Sequence, residues 1–422
     1  MLNVKLKHIL LKTKVQKLYR KEAKMKKSIK DLTDIKGKRA LVRVDINVPL
    51  DENKNVTDDT RIQAIMPTLN YLKDKGARIV LMAHLGRPKG EVNPEFSLAP
   101  VAKYLSKVVG EEVVFIPDMA HAPKMVSDLK GGQVALLENI RYYKAEEAKD
   151  DDMTFANELA QLGDFYVNDA FGAAHRNHTS TAKLAKVLKP AVSGLLMEKE
   201  IRCLSQALDN PTRPFTAVVG GAKVSSKIGV LENLLDKVDN MIIGGGMAYT
   251  FVKARGGHIG NSICEDDQME TAKAIENKAK AKNVNLVLAT DVLVTDDFSG
   301  AGNNKVVDVN NIPDGFEGVD AGPDTQKRFT DVIKASKTIL MNGPVGAFEN
   351  PKFAEGTKAV LKAVVEATAS GATSVIGGGD SVSAAKKFCK AEDFTHVSTG
   401  GGASLEFIEG KILPGVAALD DK

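Results

Sequence analysis

The feature that most constrains the fold of this chain is a recurring pattern of short, continuous runs of β-branched and aliphatic residues. Each run ends abruptly in glycine or polar residues and is followed by a stretch of helical character. The runs are Ala40–Val44, Ile79–Ala83, Val113–Ile116, Val134–Leu137, Phe165–Val167, Thr216–Val219, Met241–Ile243, Leu286–Ala289, Thr338–Met341, Ser374–Ile376 and His396–Ser398. Because these runs do not alternate with polar residues, they suit strands that are buried on both faces of a parallel sheet. The sequence therefore predicts an α/β fold of doubly wound parallel sheets.

The length of 422 residues is too great for one ordinary core and favours two domains. A helix-like segment over 195–208 is followed by Asp209-Asn210-Pro211 and by Pro214, which stop the helix before the next strand. We therefore predict two doubly wound, Rossmann-like domains, over residues 25–194 and 209–412, which are joined by a hinge helix over residues 195–208.

The first 24 residues form a basic extension. They contain eight Lys or Arg and one Glu, a charge of +7, so that the rest of the chain carries −3 of the net +4. Leucines and one isoleucine can share a helix face there, which is typical of a targeting or membrane-surface segment. The alternatives are an extension without a role in the fold, or translation that begins at Met25.

Several classes of function are disfavoured by composition and by missing motifs. Three scattered cysteines fit a reducing compartment better than a disulfide framework or a zinc site. No apolar run approaches the length of a membrane span, and aromatic residues make up only 5% of the chain, without tryptophan, which disfavours a nucleic-acid surface. Neither a GxxxxGK[ST] loop nor a dinucleotide-binding GxGxxG fingerprint is present.

Polar and cationic residues follow the strands of the first half. They are Asp45, Asn47, Arg61, His84, Arg87, Arg141 and Arg176. In open α/β sheets, ligands bind beyond the carboxyl ends of the strands, so four arginines and at least one histidine are expected to converge on one edge. Several arginines together suit a small, highly charged anion. The alternative is a set of ordinary surface arginines paired with nearby carboxylates.

Glycine-rich loops follow the strands of the second half. They are Gly220-Gly221-Ala222-Lys223-Val224-Ser225-Ser226-Lys227, Gly244-Gly245-Gly246, Gly377-Gly378-Gly379-Asp380-Ser381 and Gly400-Gly401-Gly402. Such loops let backbone N–H groups approach a phosphate at the start of a helix, although tight turns also use glycine for shape alone. Lys223 and Lys227 are four residues apart and would face one side of a helical turn. Asp380 is placed to hold Mg²⁺.

Nine motifs in order resemble the phosphoglycerate kinase family and cover the chain from about residue 28 to its C-terminus. They are RVDINVP (43–49), HLGRP (84–88), LLENIRYY (136–143), VNDAFGAAHRNH (167–178), GGAKVSSKI (220–228), GGGMAYTF (244–251), NGPVGAFE (342–349), GGGDS (377–381) and STGGGASLE (398–406). The resemblance implies reversible phosphoryl transfer between ATP and the carboxylate of 3-phosphoglycerate, with Mg²⁺ as cofactor. It also implies that residues 413–422 return to the first domain.

The resemblance assigns the site residues one by one. The residues expected to bind 3-phosphoglycerate are Asp45, Ile46, Asn47, Arg61, His84, Leu85, Gly86, Arg87, Arg141 and Arg176. The nucleotide would be bound by Lys227, Gly318, Glu349, Gly378, Gly379, Asp380 and Ser381, with Asp380 on the metal side. Arg61, Lys223, Gly378 and Gly401 would surround the transferred phosphoryl group.

The expected mechanism is in-line transfer after closure of the hinge, without a general base, because the acceptor carboxylate is already ionised. We expect a cytoplasmic monomer whose partners are the two small-molecule substrates, and neither nucleic acid nor a membrane. Two alternatives remain: a catalytically silent binding protein on this scaffold, and a kinase that acts on another small carboxylate.

Overall fold

The computed structural model describes residues 26–422, which form two compact units. The described residues up to Glu200, together with Ile412–Lys422, make up the first unit, and Ile201–Lys411 make up the second. The predicted basic extension over residues 1–24 lies outside the described residues.

The first unit is built on a parallel sheet of six strands in the order β3-β4-β2-β1-β5-β6. The strands are β1 (Arg39–Val44), β2 (Arg78–Met82), β3 (Val113–Ile116), β4 (Val134–Leu137), β5 (Phe165–Asp169) and β6 (Ala191–Ser193). The helices are α1 (Thr60–Asp74), α2 (Ala99–Val109), α3 (Ala122–Ser127), α4 (Thr154–Ala160), α5 (Leu184–Val187), the first part of α6 (Leu195–Asp209), and α14 (Pro414–Ala417).

The second unit contains a parallel six-stranded sheet in the order β10-β8-β7-β15-β16-β17. Its strands are β7 (Phe215–Val219), β8 (Asn240–Ile243), β10 (Asn285–Val287), β15 (Thr338–Asn342), β16 (Thr373–Ile376) and β17 (His396–Val397). The helices are α7 (Ile228–Leu234), α8 (Met247–Ala254), α9 (Met269–Ala281), α10 (Pro323–Lys334), α11 (Glu355–Ala369), α12 (Gly379–Phe388) and α13 (Gly402–Ile408).

Five short strands of the second unit lie outside its main sheet. They are β9 (His258–Ile259), β11 (Asp291–Thr295), β12 (Asn304–Asp308), β13 (Asn311–Ile312) and β14 (Glu317–Ala321). Strands β12-β11-β14 form an antiparallel sheet, and β13 pairs with β9. The sequence pattern did not predict them, because most of β12 is polar and exposed and carries no continuous apolar run. The short edge strand β6 was also missed.

The predicted fold class of two doubly wound parallel sheets is confirmed, and all eleven apolar runs lie in or at strands of these sheets. Burial on both faces explains why the runs are continuous. In β1, for example, Leu41 packs in the core cluster on one face of the sheet and Val42 in the cluster on the other.

The connectivity of each sheet reverses direction at its first strand. In the first unit β1 lies between β2 and β5, and in the second unit β7 lies between β8 and β15. At such a switch point the loops on either side separate and leave a crevice beyond the carboxyl ends of the strands. The residues after β1, β2 and β5, and after β7, β15 and β16, are therefore positioned to form a site.

Candidate functional site

Arg61 is held against the loop that follows β1. Its Nη1 donates to Asp45 Oδ1 at 2.9 Å and to the Asn47 carbonyl at 3.2 Å. The Asn47 side chain in turn accepts a hydrogen bond from the Gly86 N–H at 2.9 Å, which joins this loop to the loop after β2. The Arg61 side chain remains 40% exposed, so its guanidinium also has access to solvent.

Arg141 reaches the same loop from the strand end of β4. Its Nη1 donates to the Gly86 carbonyl at 2.9 Å, and its Nε lies 3.1 Å from Glu147 Oε1. Burial lowers the pKa of Arg141, and the charge of Glu147 opposes this shift. Gly86 has a φ of +60°, and a Cβ on it would lie 2.4 Å from the Phe96 ring, so the tight loop requires glycine.

His84 is buried, and its Nδ1 lies 3.1 Å from Nη2 of Arg43. Because a guanidinium can only donate, Nδ1 is the acceptor and the ring proton is on Nε2. Burial, followed by the charges of Arg43, Arg141, Arg61 and Arg176, holds the pKa of His84 well below its usual range. The histidine at this strand end is therefore a neutral donor and adds no positive charge to the arginines.

These contacts connect most of the predicted anion-binding residues. We call the set Asp45, Asn47, Arg61, His84, Gly86 and Arg141 the basic cluster. Arg176 belongs to its surroundings, because its charge affects the pKa of His84. Arg87 and Arg176 are exposed, and within residues 26–422 neither side chain makes a hydrogen bond or an ion pair. The predicted residues Ile46 and Leu85 are buried and provide no polar side chain.

A buried polar network beneath the basic cluster was missed at the sequence level. Arg43 is 1% exposed; its Nε donates to Ser180 Oγ at 2.9 Å, and its Nη1 donates to the Val44 carbonyl. Ser180 donates from Oγ to Glu146 Oε1 at 2.7 Å and from N to Oε2 at 2.8 Å. Burial raises the pKa of Glu146 to about 7 although the charge of Arg43 lowers it. The available signal was the arginine inside the apolar run of β1.

Lys227 immediately precedes α7 in the second unit and donates from Nζ to Asn342 Oδ1, at the end of β15. Burial lowers the pKa of Lys227, while the charges of Asp380 and Glu409 raise it. Lys223 is exposed, and its side chain has no partner among the described residues. The segment between the two lysines consists of bends and turns, and α7 begins only at Ile228. The helical spacing predicted for the lysines is therefore wrong.

The strand ends of β7, β15 and β16 meet through backbone. A Cβ on Gly220 would lie 1.9 Å from the Pro344 carbonyl oxygen, and one on Gly343 would lie 2.0 Å from the Gly220 oxygen. Asn342 donates from Nδ2 to the Gly377 carbonyl at 3.3 Å. The glycines at this switch point are therefore required by close backbone approach.

The predicted phosphate-binding turn is the N-terminus of α12. Gly378 precedes this helix with a φ of +87°, and the exposed Asp380 follows in its first turn. Ser381 is buried and accepts a hydrogen bond from the Gly343 N–H. Gly401 caps α13 with a φ of +51°. Two helix N-termini thus follow neighbouring strands of one sheet, and such ends attract anions.

Gly318 and Glu349 lie in another part of the second unit. Gly318 is in β14, donates from its N–H to Ser262 Oγ at 2.9 Å, and would carry a Cβ 2.1 Å from the Tyr249 hydroxyl. Glu349 is exposed, two residues after Ala347, whose N–H donates to the Val319 carbonyl at 2.9 Å. These contacts place Gly318 and Glu349 close in the fold, and within residues 26–422 no side-chain hydrogen bond joins either of them to Lys227.

The donors fit a metal ion that arrives with a nucleotide. Within residues 26–422 there is no group of three or more His, Cys, Asp or Glu side chains that could hold a metal. Mg²⁺ commonly keeps several waters and takes one or two carboxylates, with phosphate oxygens as further ligands. The exposed Asp380 carboxylate suits that mode of binding.

A family model described as phosphoglycerate kinase matches residues 29–411. The chain belongs to the phosphoglycerate kinase family. It is 53% identical over 401 residues to a cytosolic phosphoglycerate kinase of Nicotiana tabacum, with 94% of this chain and 99% of the relative covered. It is 52% identical over 400 residues to a phosphoglycerate kinase of Nostoc sp., again with 94% and 99% covered.

A solved structure of phosphoglycerate kinase from Coxiella burnetii is similar to this chain, with a TM-score of 0.86 and 41% identity over 93% of this chain and 98% of the other. The chain is therefore a phosphoglycerate kinase by family, an ATP:3-phosphoglycerate phosphotransferase of glycolysis. Kinases of this family use ATP with Mg²⁺. In the described part of the chain, no helix has the length and apolar character needed to span a bilayer.

Proposed function

We propose that the first unit binds 3-phosphoglycerate through the basic cluster together with Arg87 and Arg176, and that the second unit binds ATP at its glycine turns. The observation that carries this proposal is the convergence of Arg61 and Arg141 on the loops after β1 and β2, where Arg61 donates to the Asn47 carbonyl and Arg141 to the Gly86 carbonyl. The buried His84 lies at the same strand end. Several arginines collected at one strand edge, two of them exposed and without a carboxylate partner in the described residues, favour a compact polyanion over a neutral ligand.

The proposed anion site offers donors of two kinds. Arg87 and Arg176 are exposed and without protein partners in the described residues, so their guanidinium groups are available to phosphate oxygens. Arg61 is oriented by Asp45 and Asn47 and can place its remaining N–H groups on the carboxylate end of the substrate. The His84 Nε2–H is a donor at every pH at which the ring is neutral, which favours a hydrogen bond to the ligand over a salt bridge.

The proposed nucleotide site uses backbone more than side chains. The N–H groups of Gly378, Gly379 and Ser381 at the start of α12 would cradle phosphate oxygens, and Lys227 would add a positive charge. Asp380 would hold the Mg²⁺ of the nucleotide, which supplies neutralisation of phosphate charge. Gly318 and Glu349 would lie on the adenosine side.

The transfer step requires positioning and charge neutralisation, because the acceptor carboxylate is ionised and needs no general base. We assign the neutralising role to Arg61 and Lys223, with the N–H groups of Gly378 and Gly401 as further donors. Lys223 is exposed and its side chain has no protein partner among the described residues, so its ammonium group is available to a negatively charged phosphoryl group.

A coupled assay tests the assignment of substrate. The purified chain is incubated with MgATP and 3-phosphoglycerate, and 1,3-bisphosphoglycerate is reduced by excess glyceraldehyde-3-phosphate dehydrogenase and NADH. Turnover with 3-phosphoglycerate, and none with glycerate or acetate in a hydroxamate trap, is the expected result. Turnover with acetate would indicate a kinase for another carboxylate, and no turnover with any acceptor would indicate a binding protein.

We further propose that the chain works as a cytoplasmic monomer. The relative from Nicotiana tabacum is described as cytosolic, which supports the location. Sedimentation equilibrium of the purified protein and fractionation of the source cells are the measurements that decide these two points.

A further inference from the structure

The first N–H groups of α6 are not satisfied by the residue that precedes the helix. That residue is Gly194, which has no side chain. Instead, the Leu195 N–H donates to Thr68 Oγ1 at 2.9 Å, and the Met197 N–H donates to Asp169 Oδ1 at 3.1 Å. Because unpaired N–H groups at a helix start carry partial positive charge, a carboxylate there stabilises the helix. Asp169 therefore serves as a cap supplied by a distant part of the chain.

The carboxyl group of Asp169 is completely enclosed. It is 0% exposed, and a Cβ on Gly194 would lie 2.2 Å from its Cγ and Oδ1. Its second oxygen, Oδ2, has no hydrogen-bond partner in the described chain. Burial raises the pKa of Asp169 to about 6, although the Thr68 hydroxyl and the Met197 and Leu196 N–H groups lower it. A half-satisfied buried carboxyl is costly, so its presence calls for a role beyond packing.

The elements that meet at Asp169 lead to two of the four anion-binding arginines. Asp169 is the last residue of β5, seven residues before Arg176. Thr68 lies on α1, seven residues after Arg61, so both side chains lie on the same face of that helix, two turns apart. Beyond Glu200, α6 continues into residues of the second unit. The chain thus leaves the first unit from a point bonded to both arginine-bearing elements.

We propose that Asp169, with Thr68, is a positioning residue for phosphoryl transfer, which fixes the start of α6 against β5 and α1. This inference rests on the proposed function, in which each unit binds one substrate. The binding of each substrate uses residues of a single unit, whereas transfer needs both substrates at once. Loosening the start of α6 therefore reduces kcat, while the KM values for 3-phosphoglycerate and ATP stay near those of the wild type.

The test compares Asp169 with Asp291, a half-buried carboxylate that has the same local role at another helix start. Asp291 caps α10 by accepting from the Thr325 N–H at 2.7 Å and the Asp324 N–H at 3.2 Å, and this helix lies wholly in the second unit. Asp169→Asn is expected to lower kcat about tenfold with KM values within about twofold. Asp291→Asn is expected to lower stability but to leave kcat within about twofold.

If Asp169→Asn does not fold, a second pair of variants tests the same inference. Thr68→Ser keeps the hydroxyl that accepts from Leu195, and Thr68→Val removes it at similar volume. We expect Thr68→Val to lose kcat and Thr68→Ser to retain it. Equal kcat values in these two folded variants, or a wild-type kcat in Asp169→Asn, overturn the inference. Neither result affects the proposed function, because the unchanged chain still catalyses the reaction. A wild-type chain without turnover refutes the proposed function instead.

Discussion

Ser180 is the most informative single residue to change beneath the basic cluster. Its hydroxyl is buried and makes two bonds to charged groups, one donated to Glu146 at 2.7 Å and one accepted from Arg43 at 2.9 Å. A hydrogen bond to a charged group contributes about 1.5–3 kcal/mol, so Ser180→Ala is expected to lower the free energy of unfolding by about 3 kcal/mol or more. With m-values of about 3 kcal/mol/M, the urea midpoint of the first unit falls by about 1 M.

The composition of the chain allows this to be measured without a label. There is no tryptophan, and of the seven tyrosines only Tyr249 belongs to the second unit. Tyrosine fluorescence therefore reports chiefly on unfolding of the first unit. Ser127→Ala is the matched control, because the Ser127 hydroxyl is exposed and bonds only to groups of its own helix end. The control is expected to change stability by less than about 0.5 kcal/mol.

Ser180→Ala should also change substrate binding. Without the Ser180 acceptor, the Arg43 guanidinium loses one of its three bonds, so the Nη2 group that bonds to His84 Nδ1 is held less firmly. The KM for 3-phosphoglycerate is expected to rise about tenfold, while the KM for ATP is unchanged. A Ser180→Ala protein as stable as the Ser127→Ala control, with an unchanged KM for 3-phosphoglycerate, would refute the role given to this network.

Three further results are expected. Arg61→Ala and Lys223→Ala should each reduce kcat about 100-fold or more in the coupled assay, because each removes a charge from the transition state; near wild-type kcat in either contradicts that role. Lys227→Ala should chiefly raise the KM for ATP, and an unchanged KM shows that the lysine does not hold the nucleotide. Glu146 has a pKa raised from about 4.5 to about 7 in the folded chain, so the folded state binds more protons in this interval and the contribution of Glu146 to stability falls as pH rises through it. Urea titrations from pH 5 to 7 should show a mean slope less negative by about 1 kcal/mol per pH unit in Glu146→Gln than in wild type, and identical slopes would exclude Glu146 as the titrating group.

The two main sheets could be predicted from the sequence because a strand that is buried on both faces is a continuous run of apolar residues. The antiparallel strands β11, β12 and β14 carry no such run. Most of β12 is exposed, β11 buries Val292 and Val294 in alternation with half-buried residues, and β14 contains two glutamate or aspartate residues and a glycine. In the site, the residues after the strands could be found because parallel strands end on one edge. Arg43, Ser180 and Glu146 could not be assigned, because their partners come from positions far apart in the chain.

The four-residue spacing of Lys223 and Lys227 also gave a wrong prediction of the local structure between them. A separation of four residues predicts one helix face, but the helix begins only after Lys227. The backbone between the lysines follows the bends and turns of the glycine loop, where Gly221 has a φ of +126° and Val224 is buried. Tertiary packing of that loop thus overrode the periodicity on which the prediction depended.

The last residues of the chain complete the first sheet. The Asp420 N–H donates to the Ala191 carbonyl at 2.8 Å, the Asp420 carbonyl accepts from the Lys27 N–H at 2.8 Å, and Asn168 donates from Nδ2 to the Gly415 carbonyl at 3.2 Å. During synthesis, residues 201–411 leave the ribosome before the final residues do. The first unit therefore gains these bonds only after residues 201–411 have been synthesised, although it contains the start of the described chain.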